Sequence, residues 1–311
     1  MNRVQAILRT LARLLKNSSP LRWPWRNPLF AGTVFVLLVY IIGGVWYGFS
    51  LYKAKRTEGP VVWMARIYPL PIARVSQSFI FPSGFFTLVA SGQKYRQVDQ
   101  NAVPDDALLR AQILATLVNE KIMFNEARAR DVLVSPEEAR EFYSQLAEDN
   151  GGKDAFAEVL RKLYGLTEEQ FILLRVRAAV QQKKLEESAF IRLKVRVIVH
   201  TNEGHLKNLI GELNAGKDFG ELARTNSQDQ KTRENGGDLG FIDRLTIAQS
   251  YGDEVEGALF AGKSGDVVGP VKTKDGSFVL FRIEEVSGSI NARFENWLTE
   301  EQAKKHIWRL Y

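Results

Sequence analysis

From Leu29 to Leu51 the chain runs without a single charged residue, LFAGTVFVLLVYIIGGVWYGFSL. At about 1.5 Å per residue, a helix of that length reaches roughly 34 Å, enough to cross a hydrocarbon core of about 30 Å. A core helix of a water-soluble domain carries polar residues along one side. This run holds only Thr33 and Ser50, close to its ends. A cleaved leader is usually shorter and ends at a small-residue site, whereas YKAKRTEG follows here with no A-x-A pattern. The segment 28–52 therefore reads as an uncleaved signal anchor, in contact with the lipid bilayer.

The flanks give it a direction. Arg3, Arg9, Arg13, Lys16, Arg22 and Arg26 precede the run, and no acid occurs before Glu58; only Lys53, Lys55 and Arg56 follow it closely. The positive-inside rule puts 1–27 in the cytoplasm as a basic tail and the rest outside, in a single-pass protein of the inner (cytoplasmic) membrane. Trp23 and Trp25 on one side, and Trp46, Tyr47 and Tyr52 on the other, suit the two interfaces. Val4–Lys16 has the spacing of an amphipathic helix lying on the anionic leaflet. Gly44-x-x-x-Gly48 offers a small-residue face for weak dimerisation.

The net charge of +6 resides in that tail, because acids and bases balance beyond residue 26. A balanced body lacks the dense basic face that displaces counterions from a duplex, so nucleic acid is not an expected partner. There is no cysteine, which excludes a disulfide framework, a thiol nucleophile and a lipidated cysteine anchor.

Beyond the anchor the pattern divides. Residues 53–74, with Pro60, Pro69 and Pro71, read as an extended linker. Residues 75–190 read as a helical domain that opens with a short strand before Pro82. Leu109, Ile113, Leu117, Phe124 and Ala127 mark a long amphipathic helix. Ser135-Pro136-Glu137-Glu138 starts another, with a hydroxyl cap and a proline at the first helical position. Thr167-x-x-Gln170 is a capping box. From 191 to 288 the order is strand, two helices, strand, helix, two strands, an α+β domain. Residues 289–311 read as a last helix, packing either on the helical domain or on the α+β domain.

Ser227-x-Asp229 followed by Gly236-Gly237-Asp238-Leu239-Gly240-Phe241 is the most specific string in the chain. With GKDFGELA before it and VEGALFAGKSGDVVGPVKT after it, the stretch of roughly 193–287 resembles the parvulin (PpiC, rotamase) family of peptidyl-prolyl cis-trans isomerases. The helical block LVNEKIMFNEARARDVLVSPEEAREFYSQLAED is similar to the chaperone region of SurA- and PrsA-type folding factors, a likeness resting mostly on amphipathic helix. The implied fold class is α+β: an N-terminal transmembrane helix, a helical chaperone region, and a small mixed sheet surrounded by helices.

The resemblance implies catalysis without metal or cofactor. X-Pro isomerisation faces a barrier of about 18–20 kcal/mol, lowered by an apolar slot for the proline ring and polar groups that weaken amide resonance. Carried onto this chain, Asp229 falls at the family's Cys/Asp position and Thr273 at the threonine before the last strand. Leu239 falls at the leucine of the signature, Tyr251 and Val255 at the Met and Phe of the slot, and Phe260 at the aromatic residue ending their helix. The family's two central histidines are replaced by Arg196 and Phe278. The implied catalytic set is thus Asp229, Arg196 and Thr273, with Leu239, Tyr251, Val255, Phe260 and Phe278 binding substrate. An Arg196–Asp229 ion pair is one expectation; the other is that Arg196 reaches solvent. His200, His205 and His306 read as solvated surface residues. The clients implied are unfolded or extended polypeptides with X-Pro bonds. Two functions stay open: a membrane-anchored isomerase, and a catalytically weak or inactive holdase on the same scaffold.

Overall fold

The computed structural model describes residues 28–310; the readings for 1–27, including the basic tail and the helix at 4–16, lie outside them. The described residues divide into two compact units, residues 28–72 with Leu310, and residues 73–309.

In the first unit, helix α1 (Pro28–Tyr52) is long and apolar enough to cross a membrane. The residues after it are not extended. A short helix, α2 (Pro60–Met64), starts on Pro60, whose missing N–H is no loss at a first helical position. The chain then turns back along α1. Tyr68 is buried there, its hydroxyl donating to the Tyr40 carbonyl at 2.7 Å and its ring lying 4.8 Å from that of Tyr40. The glycines of α1 admit this ring: a Cβ on Gly43 would stand 2.5 Å from the Tyr68 hydroxyl, and one on Gly44 3.1 Å from its ring. Leu70 sits against Gly48. The face on which dimerisation through Gly44 and Gly48 is expected is thus met by the chain's own Tyr68 and Leu70.

The second unit opens with a hairpin, β1 (Ala73–Val75) and β2 (Ser78–Ile80), followed by α3 (Pro82–Arg96) and α4 (Asp106–Ala129). Next come α5 (Pro136–Asp149), α6 (Lys153–Val159), α7 (Glu168–Phe171) and α8 (Arg177–Ala189). Side chains terminate these helices as the sequence suggests. Ser135 and Glu138 form a reciprocal capping box, and Thr167 and Gln170 form another. Two π-helical stretches, Leu160–Tyr164 and Ile172–Val176, interrupt the α-helical run. Between them Tyr143, Leu160 and Val176 make a core packed by Phe156 and Phe171.

A four-stranded antiparallel sheet follows, in the order β4-β3-β6-β5: β3 (Arg192–His200), β4 (Asp238–Ile242), β5 (Val267–Lys272) and β6 (Phe278–Ser287). Helices α9 (Glu203–Asn214) and α10 (Phe219–Asn226) lie between β3 and β4 in sequence; α11 (Arg244–Tyr251) and α12 (Asp253–Leu259) lie between β4 and β5. Where the sequence order has one helix between the second and third strands there are two, divided at Gly252, whose φ of +111° no side-chain-bearing residue holds without strain.

The tail departs from its reading as one helix. α13 (Phe294–Lys304) ends early, and Ile307–Arg309 form β7, antiparallel to β1 with Val75 opposite Ile307. Isoleucine and tryptophan suit a strand, and β1 offers them its second edge. Gln302 Nε2 donates to Asn119 Oδ1, so α13 sits on α4 of the helical region.

Candidate functional site

Period-two alternation along β3 and β6 sorts the site residues onto two faces of the sheet. Val195 and Val197 of β3, with Val279, Phe281 and Ile283 of β6, point to the face covered by α11 and α12. Ile198 and Leu280 point to the other face, beneath α9 and α10.

On the first face, four of the five residues implied to bind substrate come together. Val255 and Phe260 are buried in the core, while Leu239 and Tyr251 pack against the same cluster and stay half-exposed. The Tyr251 ring stands edge-on to Phe281 at 5.5 Å. Burial, helped by the negative charge of Asp229, pushes the Tyr251 hydroxyl up to about 12, so it remains a proton donor across the neutral range. Leu239 and Tyr251 are therefore the accessible members of the implied set. Val255 and Phe260 support them from below.

Asp229 lies at the rim on a loop zipped to β3. The Val199 N–H donates to Ser227 Oγ at 3.2 Å, and the Gln228 N–H donates to the Val199 carbonyl at 2.8 Å. The carboxylate turns the loop on itself, accepting from Thr232 Oγ1 at 2.6 Å and from the Lys231 N–H at 3.1 Å. Thr273 is buried beside the slot. Its hydroxyl donates to the Ser277 carbonyl at 3.0 Å, and the next residue, Lys274, donates its N–H to the Tyr251 carbonyl at 2.8 Å. Thr273 thus fixes the turn that holds the end of α11.

Arg196 and Phe278 are not part of this assembly. Both lie on the opposite face and apart from each other, with Arg196 opposite Arg282 and Phe278 opposite His200 in the β3–β6 ladder. The expected pairing of Arg196 with Asp229 is corrected: Arg196 Nε donates to Glu284 Oε1 at 2.5 Å, and Asp238 Oδ2 stands 4.0 Å away. Its Nη1 also donates to the carbonyls of Asn235 and Gly236, at 3.2 and 3.1 Å. Arg196 therefore clamps the Gly236-Gly237 turn. That turn needs glycine, since φ is +66° and +78° and a Cβ on Gly237 would lie 2.3 Å from the Val197 carbonyl oxygen. The Gly-Gly turn leads directly into β4 and Leu239.

The histidine reading needs a similar correction. The rings of His200 and His205 lie 4.5 Å apart, both half-buried, and His205 Nε2 is 3.0 Å from Asn226 Oδ1. Burial and the neighbouring His205 lower the His200 pKa. His306 is exposed. Sequence reasoning missed Val197 and Phe281, which floor the slot. The alternation of β3 from Val195 onward was the signal for the first, and Phe281 follows from the same period on β6.

Residues 200–285 match the model of the Rotamase family, described as the PPIC-type PPIASE domain. The foldase protein PrsA of Caldanaerobacter subterraneus subsp. tengcongensis is 27% identical over 65% of this chain and 67% of its own length. The foldase protein PrsA 2 of Bacillus cereus is 28% identical over 62% of this chain and 71% of its own. A putative peptidyl-prolyl cis-trans isomerase of Campylobacter jejuni, Cbf2, is 26% identical over 83% of this chain and 93% of its own.

Proposed function

We propose, from the premise that the chain carries a parvulin-type (PPIC-type) peptidyl-prolyl isomerase domain at 200–285, that it is a membrane-anchored extracytoplasmic folding factor which isomerises X-Pro bonds in exported polypeptides. The observation that carries this reading is the half-exposed pair Leu239 and Tyr251 over the Val197–Phe281 floor, with the Asp229 carboxylate at its rim.

The work asked of such a site is rotation about one amide. A proline ring seated on Leu239 and Tyr251 is held out of water while the flanking chain turns. Against the apolar surface of Leu239 and Tyr251 the amide loses the water that favours its charge-separated planar form, which lowers the barrier to rotation. Asp229 acts by positioning, its carboxylate holding the rim loop through Thr232 Oγ1 and the Lys231 N–H. Thr273 acts by positioning, through the turn that holds α11. Arg196 and Phe278 act from behind the sheet, the first by holding the Gly236-Gly237 turn. Helix α1, residues 28–52, would tether the domain to the inner membrane, with the preceding residues in the cytoplasm.

One observation favours the second reading, a holdase with weak or no isomerase activity. The resemblance puts Arg196 and Phe278, an ion-paired arginine and a packed phenylalanine, where the family has its two histidines, so any rate enhancement rests on the apolar surface of Leu239 and Tyr251. A protease-coupled isomerisation assay on the full chain in detergent micelles separates the two. Acceleration that Leu239→Ala lowers about ten-fold, the worth of lost apolar contact in a slot, identifies an isomerase. No acceleration, with suppression of client aggregation intact, identifies a holdase.

A further inference from the structure

Residues 60–72, PVVWMARIYPLPI, contain one charge, Arg66. They run beside α1 as a re-entrant hairpin. The Met64 side chain and the Tyr68 ring come against Gly43 and Gly44, Leu70 stands against Gly48, and the Tyr52 hydroxyl donates to the Pro71 carbonyl at 2.8 Å. Gly44 lies eight residues before the end of α1, so Tyr68 reaches about 12 Å along the helix from that end. If α1 spans the bilayer, the outer side of this hairpin shares that depth.

Its surface is built for such a place. Val61, Ala65 and Tyr68 face inward and are buried, while Val62, Trp63 and Ile67 are exposed, Trp63 by 63%. Irregular backbone survives beside lipid only when its polar groups are paired internally. Here Ala65 N–H donates to Val61 O at 3.0 Å, Arg66 to Trp63 at 3.1 Å, Ile67 and Tyr68 to Met64 at 2.9 Å, and Leu70 to Tyr68 at 2.7 Å. Arg66 has the long stem that lets a guanidinium rise to the headgroups while its carbons stay in the apolar layer. Trp63 is the residue type enriched where hydrocarbon meets headgroup.

We propose that residues 60–72 are a second membrane-contacting element, immersed in the same leaflet as the C-terminal half of α1, whose Val62, Trp63 and Ile67 take lipid acyl chains as their partner. The proposal rests on the reading of α1 as a membrane span. Continuity with that helix selects lipid over a protein partner, because the exposed side chains flank a surface that lipid already covers.

The chain has no cysteine, so single labelling sites can be introduced without background. Trp63→Cys, Ile67→Cys, Val39→Cys and Lys207→Cys variants of the full chain, each carrying an environment-sensitive fluorophore, would be reconstituted in phosphatidylcholine–phosphatidylglycerol vesicles. Each is then titrated with iodide, or prepared with nitroxide-labelled acyl chains. Positions 63 and 67 should lose intensity to the nitroxide lipid as position 39 does and resist iodide, with position 207 behaving oppositely. Quenching at 39 alone, with 63 and 67 open to iodide, would overturn the proposal and leave the anchor standing. Protection of 63 and 67 from both quenchers would also overturn it, in favour of a second copy or another protein covering the patch. Iodide access at 39 would remove the anchor reading, and the hairpin proposal with it.

Discussion

A single atom decides how much of the Gly236-Gly237 turn is replaceable. A Cβ on Gly237 would collide with the Val197 carbonyl, in a left-handed backbone region that already disfavours side chains. Gly237→Ala should lower unfolding stability by about 2–4 kcal/mol, read from a denaturant titration. Arg196 acts on the same turn from the other side. Arg196→Gln should lower stability by about 1–2 kcal/mol, the range of a lost charge-assisted hydrogen bond, while the isomerisation rate per folded molecule stays near that of the parent. A catalytic arginine would give the reverse pattern. Residue types and their order were enough to place Leu239, Tyr251, Val255 and Phe260 together, because a family string carries its register with it. They could not show that Arg196 meets Glu284, since that carboxylate arrives from a strand 88 residues later. They also could not show which face Phe278 takes, because one residue of register in β6 moves it across the sheet.

Among the helices, the decisive features are polar groups placed where water cannot reach. Gln181 on α8 is fully buried. Its Oε1 accepts from the Val134 N–H at 2.8 Å and its Nε2 donates to the Val132 carbonyl at 2.9 Å, fastening the loop before α5. Gln181→Leu would leave both backbone groups unpaired, so a loss of about 2–3 kcal/mol is expected in thermal or chemical unfolding. Glu120 on α4 offers a pH test. Burial, partly offset by Arg175, pushes its carboxyl up from 4.5 to about 7. The folded state therefore holds this proton more tightly than the unfolded chain does. Its contribution is complete below about pH 4.5 and is lost as pH rises through 7. Glu120→Gln should remove that slope and raise the melting temperature at pH 8 relative to the parent. Caps such as Ser135 and Thr167 were legible because their signal is local. The π-helical stretches, the strand Ile307–Arg309 and the folding back of Pro60–Ile72 were not, since each depends on a surface supplied by a distant part of the chain.

At the scale of the molecule, β7 joins the last described residues to the first hairpin, and α13 lies on α4, so the helical region is assembled from both sides of the 192–287 sheet. Deleting residues 305–311 should raise amide hydrogen exchange at 73–80 while leaving β3 and β6 protected, as measured by mass spectrometry. Uncovering the second edge of β1 should also make the shortened chain prone to association. The same pairing has a consequence in time. As the chain emerges, its antiparallel sheet can close as soon as Ser287 is clear, for all its partners have then been made. The helices that precede it must wait for Ile307–Arg309, further along the chain than Ser287, before their hairpin gains its third strand. A protein that would tend unfinished chains is itself, for that interval, an unfinished chain, with the sheet that carries its slot complete before the region in front of it.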